Sequence, residues 1–227
     1  LFMEEKKLFC VSLGCDKNLV DTEKMLRLIR DMGISFTDDQ GEADIILINT
    51  CCFIGDAKEE SVNTILEMAE EKKEGRCRAL IVTGCLAQRY KEEILEEIPE
   101  VDAILGTTSW EEIGAVIRGI CGGQESHVSC FHDLKELPAS EGRIVTTGGY
   151  YAFLKIAEGC DKRCTYCIIS YLRGPYRRVP MEDLLAQAPA PARGGVRELI
   201  RVAQETTPSG VDPYGQNAFP TLPTALV

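Results

Sequence analysis

Long apolar segments are absent from this chain of 227 residues. No run of about 18 apolar residues occurs, so the sequence predicts no membrane-spanning helix. The first residues, LFMEEKKLFC, also lack the apolar stretch of a signal peptide, and no internal repeat is evident. The 11 cysteines are an odd number spread along the chain, unlike the dense disulfide framework of a small secreted domain. These absences predict a cytoplasmic protein whose reduced thiols are free to bind metal.

Positive charge is also scarce, because the formal net charge is −11. Residues 1–140 carry 15 Lys and Arg against 28 Asp and Glu, a net −13, whereas residues 141–227 carry 10 against 8, a net +2. This break predicts two domains with those boundaries. The acidic first domain would repel a phosphate backbone and suits a basic partner, although an acidic surface that aids solubility explains the same charge.

Apolar runs of strand length alternate with helical periodicity in the first domain. The runs that predict buried strands cover residues 8–14, 44–49, 78–84 and 101–106. The helical spacing i, i+3, i+4, i+7 is met by Val62, Ile65, Leu66 and Ala69, and again by Ile113, Val116, Ile117 and Ile120. This alternation indicates the α/β class, with helices packed on a parallel sheet.

Three further signals concern the limits of these elements. Asp21 is a candidate N-cap of the first helix, and Gly33 is a candidate C′ residue at its end. Residues 121–148 are rich in glycine and serine and only weakly periodic. We therefore expect a linker or an edge hairpin there.

The second domain begins a new strand–helix–strand unit. Residues 150–159 and 197–204 predict strands, and residues 181–188 begin a helix. Pro189 and Pro191 must end that helix early, because a proline inside a helix costs about 3 kcal/mol. The proline-containing tail predicts irregular structure.

Cys160, Cys164 and Cys167 lie in the run GCDKRCTYC, which supplies three thiolates and no fourth. Cysteine thiolates hold iron–sulfur clusters, and a cubane cluster has four irons, so three ligands leave one iron open to another molecule. An electron carrier normally closes that position, so the open iron indicates chemistry. The spacing also differs from the bacterial ferredoxin run, which ends in Cys-Pro. A zinc site and three unrelated thiols remain alternative interpretations.

Cys15, Cys51 and Cys85 each follow a predicted strand directly. Ligands bind at the carboxyl ends of the strands in open parallel sheets, so these three thiols can converge there although they are distant in sequence. Each precedes a helical pattern, whose N-terminal amides favour a thiolate and the negative charge of a cluster. The alternative is that they are ordinary buried cysteines.

Basic residues surround the second set of cysteines: Lys162, Arg163, Arg173, Arg177 and Arg178. They can bind a carboxylate or phosphate, or form a charged loop. A zinc site at Cys121, His127, Cys130 and His132 is a weaker interpretation, because their spacing matches no closed site.

Six motifs in order resemble the methylthiotransferase family of radical S-adenosylmethionine (SAM) enzymes. They are VSLGCDKNLVDTE, INTCCFI, TGCLAQRY, LKIAEGCDKRCTYCIIS, RGPYR and VAQETT. The resemblance covers nearly the whole chain. The first motif, RGPYR and VAQETT are similar to the RimO type, which adds a methylthio group to the β-carbon of an aspartate of ribosomal protein S12.

This resemblance implies two 4Fe–4S clusters and SAM as cofactors. Cys160, Cys164 and Cys167 would hold the cluster that binds SAM and cleaves it to a 5′-deoxyadenosyl radical. Cys15, Cys51 and Cys85 would hold an auxiliary cluster that carries the transferred sulfur. Tyr166 matches the usual aromatic position of the radical motif, and Glu198 and Gln204 are further candidate cofactor contacts because they lie near the predicted end of the second strand.

The implied partners are ribosomal protein S12 or the small ribosomal subunit, and an electron donor such as flavodoxin or ferredoxin, with no membrane. The implied fold is an N-terminal parallel α/β sheet domain, residues 1–140, followed by an incomplete radical-SAM (β/α) barrel, residues 141–227. We therefore expect a truncated enzyme whose own activity the sequence leaves open. The alternatives are a tRNA methylthiotransferase, a non-catalytic iron–sulfur electron-transfer module and a zinc-binding structural fragment.

Overall fold

A computed structural model of the chain describes residues 6–123, 127–138 and 142–206. The larger of its sheets has six parallel strands in the order β2-β1-β3-β4-β5-β6. These strands are β1 (Lys7–Ser12), β2 (Ser35–Phe36), β3 (Ile45–Thr50), β4 (Ala79–Gly84), β5 (Ala103–Leu105) and β6 (Val128–Cys130). The central strands β3 and β4 are buried along their whole length, as expected for a parallel sheet covered on both faces.

Helices cover both faces of this sheet. They are α1 (Asp16–Asp31), α2 (Gly55–Glu74), α3 (Cys85–Tyr90), α4 (Glu93–Glu97) and α5 (Ile113–Cys121). One apolar core lies between the sheet and α2, α3 and α4, and a second lies between the sheet and α1 and α5. The predicted α/β class and parallel sheet are therefore confirmed. Within the described ranges, no helix has both the length and the apolar character needed to cross a membrane.

The prediction that Asp21 caps the first helix is wrong. Helix α1 begins at Asp16 with Cys15 in the N-cap position. Asp21 lies inside the helix, where it is 4% exposed and paired with Lys155 and Arg173. The Gly33 prediction is confirmed, because this residue follows the helix with a φ of +84°.

Two other predictions in the first domain need correction. Leu66 is 48% exposed, because the buried stripe of α2 contains Ser61, Ile65, Met68 and Ala69. Ser61 is buried since its hydroxyl group binds the backbone of Cys51. The segment expected to be a linker or edge hairpin contains β6, which pairs in parallel with β5 and so forms the edge of the sheet.

The remaining described residues form the start of a second α/β unit. Its elements are β7 (Tyr151–Lys155), β8 (Ala157–Glu158), α6 (Ile169–Arg173), β9 (Arg177–Arg178), α7 (Met181–Gln187), α8 (Pro189–Arg193) and β10 (Glu198–Val202). Strands β7 and β10 pair in parallel, whereas β8 and β9 pair antiparallel. Helix α7 ends before Pro189, as predicted, and a separate helix begins at that proline. The predicted irregular tail from residue 207 lies outside the described residues.

Helix α1 joins the two units through a buried carboxylate. Glu23 is 1% exposed and pairs with Arg143 over 2.7 Å. Its other carboxylate oxygen accepts hydrogen bonds from the backbone amide and the hydroxyl of Thr146, and its carbonyl oxygen accepts one from the amide of Ile144. The connecting segment is therefore held along α1 before it enters β7.

Candidate functional site

The first set of cysteines lies at the carboxyl edge of the larger sheet. Cys15 follows β1 and caps α1, Cys51 follows β3 directly, and Cys85 follows β4 as the first residue of α3. Cys15 is exposed, whereas Cys51 and Cys85 are 7% and 8% exposed. We call Cys15, Cys51 and Cys85 the first triad. Because β1, β3 and β4 are neighbours in the sheet, the fold delivers all three thiols to one region, as the sequence predicted.

Gly14 allows the loops after β1 and β3 to approach closely. Its φ is +89°, and a Cβ atom built on it would lie 2.5 Å from Cys51 Cβ and 2.9 Å from Cys51 Sγ. Asn18 holds the same loops together, since its buried Nδ2 donates to the carbonyl oxygens of Leu13 and Thr50 over 3.0 and 2.9 Å. The backbone around Cys15 and Cys51 is thus fixed before any metal binds.

The thiols of the first triad are close enough to influence one another. Burial raises the pKa of the Cys85 thiol, Arg173 lowers it, and the neighbouring Cys51 and Cys15 thiols raise it further. Cys52 packs in the apolar core beside α2, together with Cys85. Burial raises the pKa of the Cys52 thiol to about 11, and the neighbouring Cys85 and Cys51 thiols add to this.

Cys160, Cys164 and Cys167, which we call the second triad, lie on the loop between β8 and α6. The amide of Cys167 donates to the carbonyl oxygen of Cys164 over 3.0 Å, and the amide of Cys160 donates to that of Gly174 over 3.2 Å. Gly159 has a φ of +77°, and a Cβ atom there would overlap the carbonyl oxygen of Pro175. The RGPYR segment thus packs directly against the start of the cysteine loop.

The donor sets fit an iron–sulfur cluster better than a single zinc ion. Zinc–sulfur bonds of about 2.3 Å hold two thiolates within about 4.6 Å of each other. In the described part of the chain, the one group of three Cys, His, Asp or Glu ligand atoms within 4.8 Å of one another is Glu111, Glu112 and His132, not a cysteine triad. A cubane spans more, because each thiolate binds a different iron. Both triads consist of free cysteines, and cysteine thiolates are the ligands that such clusters use.

Gln204 forms hydrogen bonds with the two residues that directly precede the second triad, Glu158 and Gly159. Its Oε1 accepts a hydrogen bond from the Gly159 amide over 3.1 Å, and its Nε2 donates to Glu158 Oε1 over 2.6 Å. Glu198, in contrast, begins β10 opposite Tyr151, at the amino ends of these parallel strands. The structure therefore brings Gln204, but not Glu198, to the cysteine loop.

An open cleft of ≈ 790 Å³ lies beside the second triad. The residues around it include Gln88, Arg89, Lys91, Tyr166, Cys167 and Tyr171. Gln88 and Arg89 lie on α3 within about a turn of Cys85, while Tyr166 belongs to the second triad loop. Tyr166 is 90% exposed and Tyr171 is 84% exposed, so two aromatic side chains are presented at this cleft.

Arg173 links the two triads through a buried fork of contacts. Its Nη1 donates to Asp21 Oδ2 over 2.9 Å and to Glu158 Oε2 over 3.3 Å, and its Nη2 donates to Asn18 Oδ1. Its Nε donates to Cys85 Sγ over 3.3 Å. Lys155 completes the network by pairing with Asp21 and Glu158. The charges of two carboxylates and two cations thus balance one another within the protein interior.

The basic patch inferred from the sequence is not a continuous surface. Arg173, Arg177 and Arg178 are buried, whereas Lys162 is exposed and pairs with Glu205. Sequence reasoning missed the buried network that Arg173 forms with Asp21, Glu158 and Lys155. Lys155 and Glu158 could have indicated this network, since both are charged residues within a predicted strand. A charge that is buried in a strand needs a partner of opposite charge.

Comparisons with known proteins agree with the motifs. Residues 7–106 match the model of a family described as Uncharacterized protein family UPF0004. Over 217 residues the chain is 63% identical to the ribosomal protein uS12 methylthiotransferase RimO of Lachnoclostridium phytofermentans, a match that covers 95% of this chain and 49% of that protein. Over 224 residues it is 49% identical to the protein of the same name from Acetivibrio thermocellus, covering 96% and 49%. The chain spans about half the length of these curated relatives.

A solved structure shares the fold. The radical S-adenosylmethionine methyltransferase TsrM from Kitasatospora setae aligns with a TM-score of 0.57 over 88% of this chain and 48% of its own, at 10% sequence identity. At that identity the likeness concerns architecture alone. It agrees with the predicted parallel α/β sheet.

Proposed function

Since this chain belongs to the methylthiotransferase family of RimO-type proteins, we propose that it forms the cluster-binding part of an enzyme that attaches a methylthio group to an aspartate of ribosomal protein uS12. The observation that carries this proposal is the presence of two cysteine triads whose loops are connected through one buried arginine. Each triad offers three thiols, and one buried arginine joins them. An arrangement with two open clusters suits a reaction that needs both a radical source and a sulfur source.

The two cysteine triads are the residues that would hold the clusters. Cys160, Cys164 and Cys167 would hold the cluster that binds SAM, and Cys15, Cys51 and Cys85 would hold an auxiliary cluster. When bound, the clusters and SAM supply the electron transfer, hydrogen abstraction and sulfur that no side chain can provide. An electron-transfer protein such as flavodoxin or ferredoxin would donate the electron.

The chain itself supplies placement and shielding. Gln204 fixes the Gly159 amide at the start of the second triad loop. Gly14 and Asn18 hold the loops of the first triad in contact. When rigid elements hold the reacting groups in place, the entropic cost of bringing those groups together is lower.

The cleft beside the second triad is where we place the substrate segment. Tyr166 and Tyr171 present exposed aromatic rings there, which can pack against a bound peptide, and Tyr166 adjoins Cys167. The net charge of −11 favours a basic protein partner and disfavours a phosphate backbone. The negative charge therefore supports uS12 over tRNA as the substrate, whereas aromatic rings can bind either one.

Reductive cleavage of SAM by the anaerobically reconstituted chain tests the proposal. We expect added SAM to change the electron paramagnetic resonance (EPR) spectrum of the reduced protein, and methionine and 5′-deoxyadenosine to form. Cys164→Ala should abolish both effects. Cys77→Ala is the matched control, because Cys77 is buried in the core away from either triad, and it should leave both intact.

The alternatives give different results in the same assay. A non-catalytic electron-transfer module would hold a reducible cluster whose spectrum ignores SAM, and a zinc-binding fragment would stay colourless. Binding assays with labelled uS12 and labelled tRNA then separate the two substrates. Binding of uS12 without tRNA supports the proposal, whereas tight, salt-dependent binding of tRNA alone would favour a tRNA methylthiotransferase.

A further inference from the structure

Arg173 follows the second triad in sequence, yet it contacts a thiol of the first. Its Nε donates to Cys85 Sγ over 3.3 Å. Arg173 is 3% exposed and Cys85 is 8% exposed, so little water competes for this hydrogen bond. Hydrogen bonds to the cysteine sulfurs are among the features that set the reduction potential of an iron–sulfur cluster. The contact therefore has a chemical consequence when Cys85 ligates iron.

The direction of this donor is fixed by the rest of the guanidinium group. Nη1 binds Asp21 and Nη2 binds Asn18, and both of these residues lie on α1, the helix that Cys15 caps. The planar guanidinium holds its donors in a rigid fork. Arg173 cannot turn away from Cys85 without breaking a charged hydrogen bond inside the protein, where such a loss is costly.

The same side chain also closes the loop that carries the second triad. Glu158 precedes Cys160 by two positions, and Arg173 follows Cys167 by six. The Nη1 contact to Glu158 Oε2 joins these two ends over 3.3 Å. One guanidinium group thus fixes the second triad loop and a ligand of the first triad at the same point.

We propose that Arg173 is a positioning residue for the cluster at Cys15, Cys51 and Cys85, and that its hydrogen bond to Cys85 Sγ raises the reduction potential of that cluster. The inference rests on the proposed function, because it requires a cluster at the first triad. The direction follows from charge: reduction makes a cluster more negative, so a nearby cationic donor stabilises the reduced state more than the oxidised state.

The potential can be measured on the full chain with Cys160→Ala, Cys164→Ala and Cys167→Ala, in which only the first triad can hold a cluster. EPR-monitored redox titration compares this background with and without Arg173→Met. We expect the substitution to lower the reduced-to-oxidised ratio at a given solution potential about tenfold, a midpoint shift of about 59 mV for one electron. Arg173→Lys keeps the charge but lacks the fork, so its shift should be intermediate.

Lys155→Met is the matched control. Lys155 is a buried cation of the same network, and its ion pairs are to Asp21 and Glu158 rather than to a cysteine. We expect this substitution to lower the stability of the protein with a much smaller shift in potential. An unchanged potential in Arg173→Met, or an equal shift in Lys155→Met, would overturn the proposal, because the network would then act only as a structural clamp.

A measurement on the native side chain avoids dependence on how the variants fold. Protein labelled with nitrogen-15 arginine should show a nitrogen-15 coupling to the reduced cluster at the first triad by pulsed EPR. Absence of the coupling would contradict the inference alone. A protein that binds no cluster at the first triad would overturn the proposed function as well, and iron analysis distinguishes the two results.

Discussion

Nη1 of Arg173 donates to Oε2 of Glu158 over 3.3 Å, and this ion pair joins the two ends of the segment that contains the second triad. Glu158 also accepts a hydrogen bond from Gln204 and pairs with Lys155. Its carboxylate is 3% exposed. The geometry of the second triad loop therefore depends on one buried carboxylate.

Glu158→Gln should destabilise the protein strongly. The amide would remove the negative charge and leave two buried cations with a single carboxylate, Asp21. Breaking a buried pair by removing one partner costs about 3–5 kcal/mol, and we expect a loss of that size in chemical denaturation of the metal-free protein. Glu97→Gln, at an exposed position on α4, is the control and should change the free energy of unfolding by less than about 0.5 kcal/mol. Equal effects of the two substitutions would contradict the buried network.

Gly14→Ala should remove iron from the first triad selectively. The φ of +89° strains any residue with a Cβ atom, at a cost of about 1–3 kcal/mol. The new methyl group would also displace Cys51, the nearest side chain. Iron analysis after anaerobic reconstitution should show a loss confined to the first cluster.

Gly55→Ala provides the comparison for that experiment. Gly55 begins α2, and a Cβ atom there would meet no atom within 4 Å. We expect its iron content and stability to equal those of the unaltered protein. Full iron content in Gly14→Ala would show that the close approach of the two loops is not needed for cluster binding.

Lys24 makes the free energy of unfolding depend on pH in the alkaline range. Burial lowers the pKa of its ammonium group to about 8, and the like charge of Lys155 adds to this. Between about pH 8 and pH 10.5 the unfolded chain binds more protons at this site than the folded chain, so stability rises with pH across that window. Below it, the folded protein carries the cost of a charge that is partly removed from water.

Lys24→Met should therefore stabilise the protein at pH 7 by roughly 1 kcal/mol, after the loss of the cation–π contact with Trp110 is deducted. The difference between the variant and the unaltered protein should shrink from pH 8 to pH 10.5. Denaturation in the presence of a reductant at several pH values measures it. A difference that grows with pH would contradict the assigned environment of Lys24.

The elements predicted with most success were those whose sequence pattern is decided locally. The apolar runs at 44–49 and 78–84 became the central strands because only a parallel sheet buries such runs on both faces. The short edge strand β6 was missed, because its three residues alternate over too short a length to be recognised as a strand and pair with β5 through the backbone.

The errors involving charged residues have one physical cause. Asp21 has the residue type of a helix cap, but its partners Lys155 and Arg173 are more than 130 positions away. A prediction from local helix propensity does not include a partner so distant in sequence, and tertiary contacts override that propensity. The positions of Cys15, Cys51 and Cys85 could be predicted because each follows a strand. The contacts of Arg173, which connects the triads, become visible only in three dimensions.

Anaerobic quantitation of iron and acid-labile sulfide tests the central claim most directly. The chain should bind about eight irons and eight sulfides, and replacement of all three cysteines of either triad by alanine should leave about four of each. Two results would contradict the account. One is four irons in the unaltered chain, with no loss of iron when Cys15, Cys51 and Cys85 are replaced by alanine. The other is stoichiometric zinc in place of iron.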